Sequence, residues 1–67
     1  MSVAKVTEII SSSPDSFEAA IAAGIDRACK TLKGVSGAWV KDQKVTITNG
    51  QVTEYRVNLK VTFILQD

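Results

Sequence analysis

The chain has 67 residues, with 8 Lys and Arg against 7 Asp and Glu, no His and one Cys. This length predicts one domain, residues 1–67, whose core supplies only about 3–5 kcal/mol of net stability. The near-neutral charge gives no reason to expect a nucleic acid or an anionic membrane as partner, and the lack of His excludes Ser-His and Cys-His nucleophile pairs and His-bearing zinc sites.

The opening segment, VAKVTEII, is rich in β-branched residues and precedes SSSP, which predicts a strand. Val6 and Ile10 fall in one alternation phase and Val3 and Ile9 in the other, so the pattern leaves open which face is buried. The N-terminus lacks the basic start and long apolar stretch of a signal peptide, and no apolar run reaches membrane-spanning length. We therefore expect a soluble, cytoplasmic protein without a membrane partner.

The next segment, SSSPDSFEAAIAAGIDRACKTLKG, predicts an amphipathic helix of about five turns. Ser13 and Asp15 are two candidate caps, which place the start of the helix between residues 13 and 16. Gly34 is predicted to end it. The apolar positions recur at spacings of three and four: Phe17, Ala20, Ile21, Gly24, Ile25, Ala28 and Leu32.

The remaining segment, AWVKDQKVTITNGQVTEYRVNLKVTFIL, predicts a long β-hairpin. Asn49-Gly50 supplies the two residues with positive φ that a type I′ turn requires. This turn sets Thr48 opposite Gln51 and thereby fixes the register of both strands. Counting back from it, the predicted pairs are Ile47 with Val52, Val45 with Glu54, Gln43 with Arg56, Lys41 with Asn58, and Trp39 with Lys60.

The two faces of the hairpin differ in polarity. We expect the helix to cover an unbroken apolar row in the last strand, formed by Tyr55, Val57, Leu59, Val61, Phe63 and Leu65. By the predicted register, Trp39 lies on the other face. Its expected neighbours there are Lys41, Gln43, Arg56, Asn58, Lys60 and Thr62, with an apolar patch of Val45, Ile47 and Val52. A large aromatic side chain beside such a patch is typical of an interface or a binding groove.

The predicted element order is β-α-β-β. It indicates an α+β fold in which a three-stranded antiparallel sheet of order 1-3-2 packs on one helix, with a right-handed β-α-β crossing. A single Cys excludes an internal disulfide as a source of stability. The uncovered sheet face and the two free edges therefore predict a closed, symmetric assembly of identical subunits.

Four stretches in this order carry a family resemblance: VAKVTEI, SSPDSFEAAI, RACKTL and EYRVNLKVTFIL. Together they cover nearly the whole chain, which resembles the dodecin family. The resemblance implies a hollow homododecamer in which paired subunits sandwich flavins between tryptophans. It also implies that the flavin is held for storage or buffering, without catalysis.

Two positions depart from the flavin-binding members of that family. Aligned from the Asn-Gly turn, their tryptophan column falls on Gly37, whereas Trp39 stands two positions later, on the same face and about 7 Å along the strand. Arg56 stands where those members tend to carry a Gln. Arg donates to a carbonyl oxygen or a phosphate but cannot accept from a ring N–H. The members linked to calcium lack the tryptophan and share the Tyr55-Arg56 pair.

The resemblance and the register together predict a site for riboflavin, FMN or FAD. Its predicted residues are Trp39, Arg56, Gly37, Lys41, Gln43 and Asn58. Trp39 either stacks on the planar ligand or is buried against a neighbouring subunit, since interfaces are enriched in Trp. Arg56 either donates to the ligand edge or forms an ion pair with Glu54 or Asp42 of a neighbouring subunit.

Three functions follow from these observations. The leading hypothesis is a non-enzymatic, flavin-binding homododecamer. The alternative is a dodecamer without flavin that binds a divalent cation such as calcium, or no ligand; Glu8, Asp15 and Glu18 could supply carboxylates at a symmetry axis, although capping and solvation also explain them. An enzyme acting on a flavin is disfavoured, because the sequence shows neither paired carboxylates nor a nucleophile with an adjacent base.

Overall fold

Three antiparallel strands and one helix make up the fold in the computed structural model, which describes residues 2–65. The elements are β1 (Ala4–Ser13), α1 (Phe17–Thr31), β2 (Val35–Thr48) and β3 (Gln51–Ile64). β3 lies between the other two strands and pairs antiparallel with both, in the order β1-β3-β2. The predicted α+β fold is confirmed. Within residues 2–65 no helix has the length and apolar character needed to cross a membrane.

The N-cap of α1 is Ser16, at the end of the predicted window. Its side-chain oxygen accepts a hydrogen bond from the Ala19 N–H at 3.0 Å. Ser13, one of the predicted caps, accepts instead from the Asp15 N–H at 3.0 Å, in a turn that precedes the helix. A serine side chain can accept a hydrogen bond from a backbone N–H in a turn or from one in the first turn of a helix. The local path of the backbone therefore decides which of the neighbouring serines caps the helix. The helix ends before Gly34, which has a φ of 75°.

The predicted apolar stripe of α1 faces the sheet. Ala20, Gly24 and Ala28 are buried, and Phe17, Ile21, Ile25 and Leu32 pack against the core. The sheet contributes alternate residues of β3. Among the described residues, the buried apolar side chains are Ala20, Ala28, Val57, Leu59 and Val61. The prediction that the helix covers the apolar face of the last strand is therefore confirmed. The core formed between them is small.

α1 approaches the sheet closely at Gly24. A Cβ on this residue would lie 2.9 Å from Leu59 Cδ1 and 3.1 Å from Ser11 Cβ. The close packing also settles the phase of β1 that the sequence left open. Ile9 packs against the core, whereas Ile10 is 68% exposed on the opposite side of the sheet.

The tight turn between β2 and β3 is formed as predicted. Asn49 and Gly50 have φ values of 53° and 77°. The pairs next to the turn, and the pair of Trp39 with Lys60, also match the predicted register.

Two β-bulges change the register between these points. On β3 the extra residue is Thr53, and on β2 it is Lys41. Because the extra residues lie on opposite strands, their offsets cancel beyond Lys41. Three predicted pairs are therefore wrong: Val45 with Glu54, Gln43 with Arg56, and Lys41 with Asn58. The observed pairs are Val45 with Tyr55, Lys44 with Arg56, Gln43 with Val57, and Asp42 with Asn58.

The bulges move several side chains from the predicted face to the other. Gln43 and Val45 lie opposite Val57 and Tyr55, on the side of the sheet that carries α1. Alternation along β2 brings Ile47 to that side as well. The predicted apolar patch near the turn is thus on the helix side, past the point where Phe17 packs edge-on against Tyr55.

Candidate functional site

Trp39 lies on the sheet face that α1 leaves uncovered, which we call the outer face; its β3 members are Arg56, Asn58, Lys60 and Thr62. The indole is 50% exposed, and Lys60 Nζ lies 6.0 Å from the ring centroid. This separation is the outer limit of cation–π attraction, about 6 Å. Because β2 is an edge strand, Trp39 also borders an apolar groove of about 410 Å³ between α1 and β2. Its pairing with Lys60 directs the indole to the outer face.

Glu8 connects the three strands on the outer face. Its Oε2 accepts a hydrogen bond from Asn58 Nδ2 at 2.7 Å and lies 3.5 Å from Lys41 Nζ. The hydrogen bond from Asn58, together with the charges of Lys41 and Lys60, lowers the pKa of Glu8 below its ordinary value of 4.5, against an opposing effect of desolvation. Glu8 is therefore a carboxylate at neutral pH, and it holds the Asn58 amide with its NH₂ group towards β1.

Arg56 is held by an acid of its own strand. Its Nη2 donates to Glu54 Oε1 at 2.9 Å. Residues two apart on a strand share a face, which brings these side chains together. The sequence left open an ion pair between Arg56 and an acid of a neighbouring subunit, and the structure shows the pair within one chain. Both side chains are about 40% exposed, so the pair contributes at most about 1 kcal/mol.

A groove of about 190 Å³ crosses the outer face beside these residues. It is lined by Ile10, Asp42, Lys44, Arg56 and Asn58. Two polar atoms of these side chains, Arg56 Nε and Asn58 Oδ1, are buried and have no hydrogen-bond partner within residues 2–65. An unpaired buried polar atom costs about 1–3 kcal/mol.

The predicted site residues divide between the two faces. Trp39, Arg56 and Asn58 share the outer face, and Lys41 reaches it through its contact with Glu8. Gly37 lies opposite Thr62, where an added Cβ would meet no atom within 4 Å. Gln43 is the exception. Its predicted position beside Trp39 is corrected by the bulges, which set it opposite Val57 on the helix side.

Four residues of the outer face were not assigned to it from the sequence: Glu8, Ile10, Asp42 and Lys44. The imperfect alternation of β1 left the direction of Glu8 and Ile10 open. The register predicted without bulges placed Asp42 and Lys44 on the helix side. The sequence did contain a signal for the direction of Glu8. Glu8 and Ile10 alternate in the same phase, and so small a core does not require the large Ile10 side chain, which indicates the outer face for both residues.

The acids proposed as cation ligands do not cluster within one chain. Residues 2–65 contain no group of three or more Cys, Asp or Glu side chains placed to hold a metal ion. Glu8 is engaged with Asn58, and Glu18 lies in the first turn of α1, where a negative charge favours the helix. A cation site built from these acids would need carboxylates from more than one copy.

Comparison with known proteins gives one consistent family. The chain matches the dodecin family over residues 3–66. It is 40% identical over 65 residues to the dodecin of Thermus thermophilus, a span of 97% of this chain and 94% of that protein. It is 36% identical over 63 residues to the calcium dodecin of Mycobacterium tuberculosis, covering 94% and 89% of the two chains.

Solved structures of the same two proteins share the fold. A tryptophan-to-phenylalanine variant of the T. thermophilus dodecin aligns with a TM-score of 0.93 and 39% identity over 100% of both chains. The calcium dodecin of M. tuberculosis, described as calcium-chelating with a novel calcium-binding site, aligns with a TM-score of 0.83 and 34% identity over 96% and 91%. The likeness thus extends over the whole of α1 and the sheet.

Proposed function

This chain belongs to the dodecin family, and on that premise we propose that it is a non-enzymatic protein that binds a flavin for storage or buffering. The ligand would be riboflavin, FMN or FAD, and the assembly a hollow homododecamer. The half-exposed indole of Trp39 on the uncovered sheet face is the observation that supports this most directly. An exposed indole offers an isoalloxazine ring a stacking surface, which contributes about 0.5–1.5 kcal/mol beyond area burial.

A flavin on this surface would need a second subunit. One chain supplies one indole on an open sheet, so it can cover only one side of a planar ring. A two-fold axis through the outer face would bring the same patch from a second copy, since such an interface is self-complementary. It would also cover Val6 and Ile10, which are 46% and 68% exposed in the single chain.

The charges of the outer face suit binding better than proton transfer. Glu8 is paired with Lys41 and Asn58, and Glu54 with Arg56. A general acid or base works best when its pKa lies near the operating pH. The lowered pKa of Glu8 moves it away from that range. We therefore expect these groups to orient a ligand without exchanging protons with it.

The test is a fluorescence titration of riboflavin, FMN and FAD with purified protein. Stacking against Trp39 is expected to quench the emission of riboflavin and FMN, and Trp39→Ala is expected to abolish the quenching. Trp39→Phe is the matched control, because a smaller aromatic ring should retain part of it. Unchanged emission of all three flavins with the wild-type protein would reject the proposal.

The calcium dodecin relative favours a second candidate, a dodecamer that binds a divalent cation instead of flavin. The chain also carries the Tyr55-Arg56 pair that was linked to such members. Since the described acids do not cluster within one chain, the ion would lie between copies. Binding to the folded assembly alone would raise its melting temperature with ion concentration.

The second candidate is tested by thermal unfolding with EDTA and after addition of millimolar CaCl₂. Calcium binding predicts a lower melting temperature in EDTA and recovery on addition of calcium, with MgCl₂ as the control ion. A melting temperature unaffected by either reagent would exclude this candidate and leave the flavin proposal standing.

A further inference from the structure

We propose that Lys60 sets the charge preference of the Trp39 surface and favours a stacked ring that carries a negative charge, which for a flavin is its reduced, anionic form. This inference rests on the proposed flavin-binding function and adds the redox state of the ligand to it. It starts from a row of three side chains across the outer face. Strand pairing sets Glu8 of β1 opposite Lys60 of β3, and Lys60 opposite Trp39 of β2.

Lys60 is not neutralised by the acid opposite it. Directly opposed residues of antiparallel strands have Cβ atoms about 4.5–5.5 Å apart, and opposite charges at such positions attract each other. The carboxylate of Glu8 nevertheless binds two other groups, since its Oε2 accepts from Asn58 Nδ2 at 2.7 Å and lies 3.5 Å from Lys41 Nζ. Within residues 2–65, Lys60 forms no salt bridge. Its positive charge is therefore available to a ligand.

The ammonium group of Lys60 lies beside Trp39 instead. Its Nζ is 6.0 Å from the centroid of the indole. A ligand ring in van der Waals contact with that side of the indole, about 3.5–4.0 Å away, would occupy most of this separation. The flexible side chain of a lysine lets the ammonium move to the margin of the ring. Because Glu8 is already engaged, the ring is the neighbour whose charge Lys60 would balance.

The charge of Lys60 already acts on the other neighbour in this row. The pKa of Glu8 is lowered first by the hydrogen bond from Asn58, and the charges of Lys41 and Lys60 add to that effect. A ring stacked on Trp39 would lie on the opposite side of Lys60, across a similar interstrand distance. For a partly exposed pair of unit charges about 6 Å apart, the attraction left after screening by water and salt corresponds to about tenfold in affinity.

The isoalloxazine ring of a flavin changes its charge when it is reduced. The oxidised ring is neutral. Reduction adds two electrons and one proton, which binds at N5, and leaves one negative charge centred on N1. In acid, N1 takes up a second proton and the reduced ring becomes neutral as well. A flavin thus offers the Trp39 surface one anionic ring and two neutral rings of nearly the same outline.

The test measures how tightly riboflavin binds in these states. Riboflavin has no phosphate, so the ring carries the whole difference in charge. The purified assembly is dialysed to equilibrium against riboflavin at about pH 8, either oxidised or reduced with dithionite under argon, and air then reoxidises the flavin for measurement by absorbance. Lys60→Gln removes the charge and is expected to weaken binding of the reduced ring about tenfold relative to the oxidised ring. Lys60→Arg keeps the charge and should retain the wild-type ratio.

Lys5→Gln is the matched control, because it removes the same charge from the other side of the sheet, where Lys5 pairs with Phe63. That variant should keep the wild-type ratio of affinities. A tenfold change in Lys5→Gln would assign the effect to the net charge of the assembly and overturn the inference.

A second measurement needs no variant and keeps the test decisive if Lys60→Gln fails to fold. Wild-type protein is compared with the reduced ring at about pH 8, where N1 is ionised, and at about pH 5.5, where it is protonated. We expect about tenfold weaker binding at the lower pH. The ionisable neighbours of Lys60 on this face are Glu8 and Lys41; the lowered pKa of Glu8 keeps it a carboxylate at both pH values, and the chain has no His.

The outcomes separate this inference from the proposed function. An unchanged ratio in Lys60→Gln, or equal binding of the anionic and neutral reduced rings by the wild type, would overturn the inference and leave flavin binding intact. Failure of the wild type to bind riboflavin in any state would overturn both.

Discussion

The lack of a side chain at Gly24 permits the close approach of α1 to the sheet. In an exposed helix, Gly→Ala gains up to about 1 kcal/mol. Here the new methyl group would lie 2.9 Å from Leu59 Cδ1 and 3.1 Å from Ser11 Cβ. We expect Gly24→Ala to lower the free energy of unfolding by about 1–3 kcal/mol, the usual effect of overpacking. Urea unfolding measures it.

The matched control is Gly37→Ala, since a Cβ at Gly37 would meet no atom within 4 Å. That variant should unfold at the same urea concentration as the wild type or slightly above it. A stable Gly24→Ala variant would show that α1 can move away from β1 and β3 without loss of packing.

The carboxylate of Glu8 gives the protein a defined response to acid. Its pKa is lowered in the folded state by the Asn58 hydrogen bond first and by nearby lysine charges. A lowered folded pKa stabilises the fold at pH values above the unfolded pKa, and this contribution disappears as the pH falls through the folded pKa. The melting temperature of wild type relative to Glu8→Gln should therefore be higher at pH 6 and converge below pH 4.5.

Comparing wild type with Glu8→Gln isolates the contribution of Glu8, because titration of the other acids changes the melting temperature of both proteins equally. A difference in melting temperature that stays constant from pH 6 to pH 3 would show that Glu8 contributes no charge-dependent stability. Carbon-13 NMR of the Glu8 carboxyl group would follow the titration directly.

At the residue scale the candidate site was predicted only in part. Trp39 is opposite Lys60 as predicted, because the offsets of the two bulges cancel beyond Lys41. Gln43 was wrongly directed outward, because it lies between the two bulges. The Glu8 contact with Asn58 joins residues 50 positions apart. Such a contact depends on the phase of β1, which its own alternation did not define.

The elements differ in how far local chemistry defines them. The stripe of α1 and the hairpin turn follow from spacing and sterics within a few residues, and both were predicted. A bulge depends on two strands at once. At Thr53 the extra residue is accompanied by a hydrogen bond from its Oγ1 to the Thr46 carbonyl at 3.1 Å. The sequence of either strand alone contains no comparable signal.

The turn itself is open to a direct test. Gly50 has a φ of 77°, a conformation in which a side chain with a Cβ is strained. Gly50→Ala should lower the free energy of unfolding by about 1–2 kcal/mol. Asn49→Gly keeps the freedom to adopt positive φ and should change it by only a few tenths, so it serves as the control. Equal loss in both variants would mean that side-chain contacts, not backbone geometry, hold the turn.

The whole molecule is too open to be a compact monomer. Its radius of gyration is 13.8 Å, whereas about 11 Å is expected for a compact chain of this length. Its accessible surface of 4858 Å² exceeds the roughly 4,100 Å² expected for its mass. Exposed apolar side chains occur on both sides of the sheet, including Ile10, Ile47 and Trp39. These quantities favour an obligate assembly.

A dodecamer is directly measurable. Twelve chains of 7.2 kDa give about 86 kDa, which sedimentation equilibrium or light scattering would detect. Ile47→Lys is expected to shift the protein towards smaller species if the patch near the turn is covered by another copy. Thr48→Lys, next to it in sequence, is the control. A folded 7.2 kDa species in the wild type would contradict the proposed assembly.

The five buried side chains of the described core have a consequence for how the protein loses its structure. In the proposed assembly, most of the favourable burial would come from contact with other copies, so unfolding would be a reaction of high molecularity. Its midpoint then shifts with total protein concentration by mass action. Dilution alone would then unfold the protein, and dissociation of the assembly would release any bound ligand.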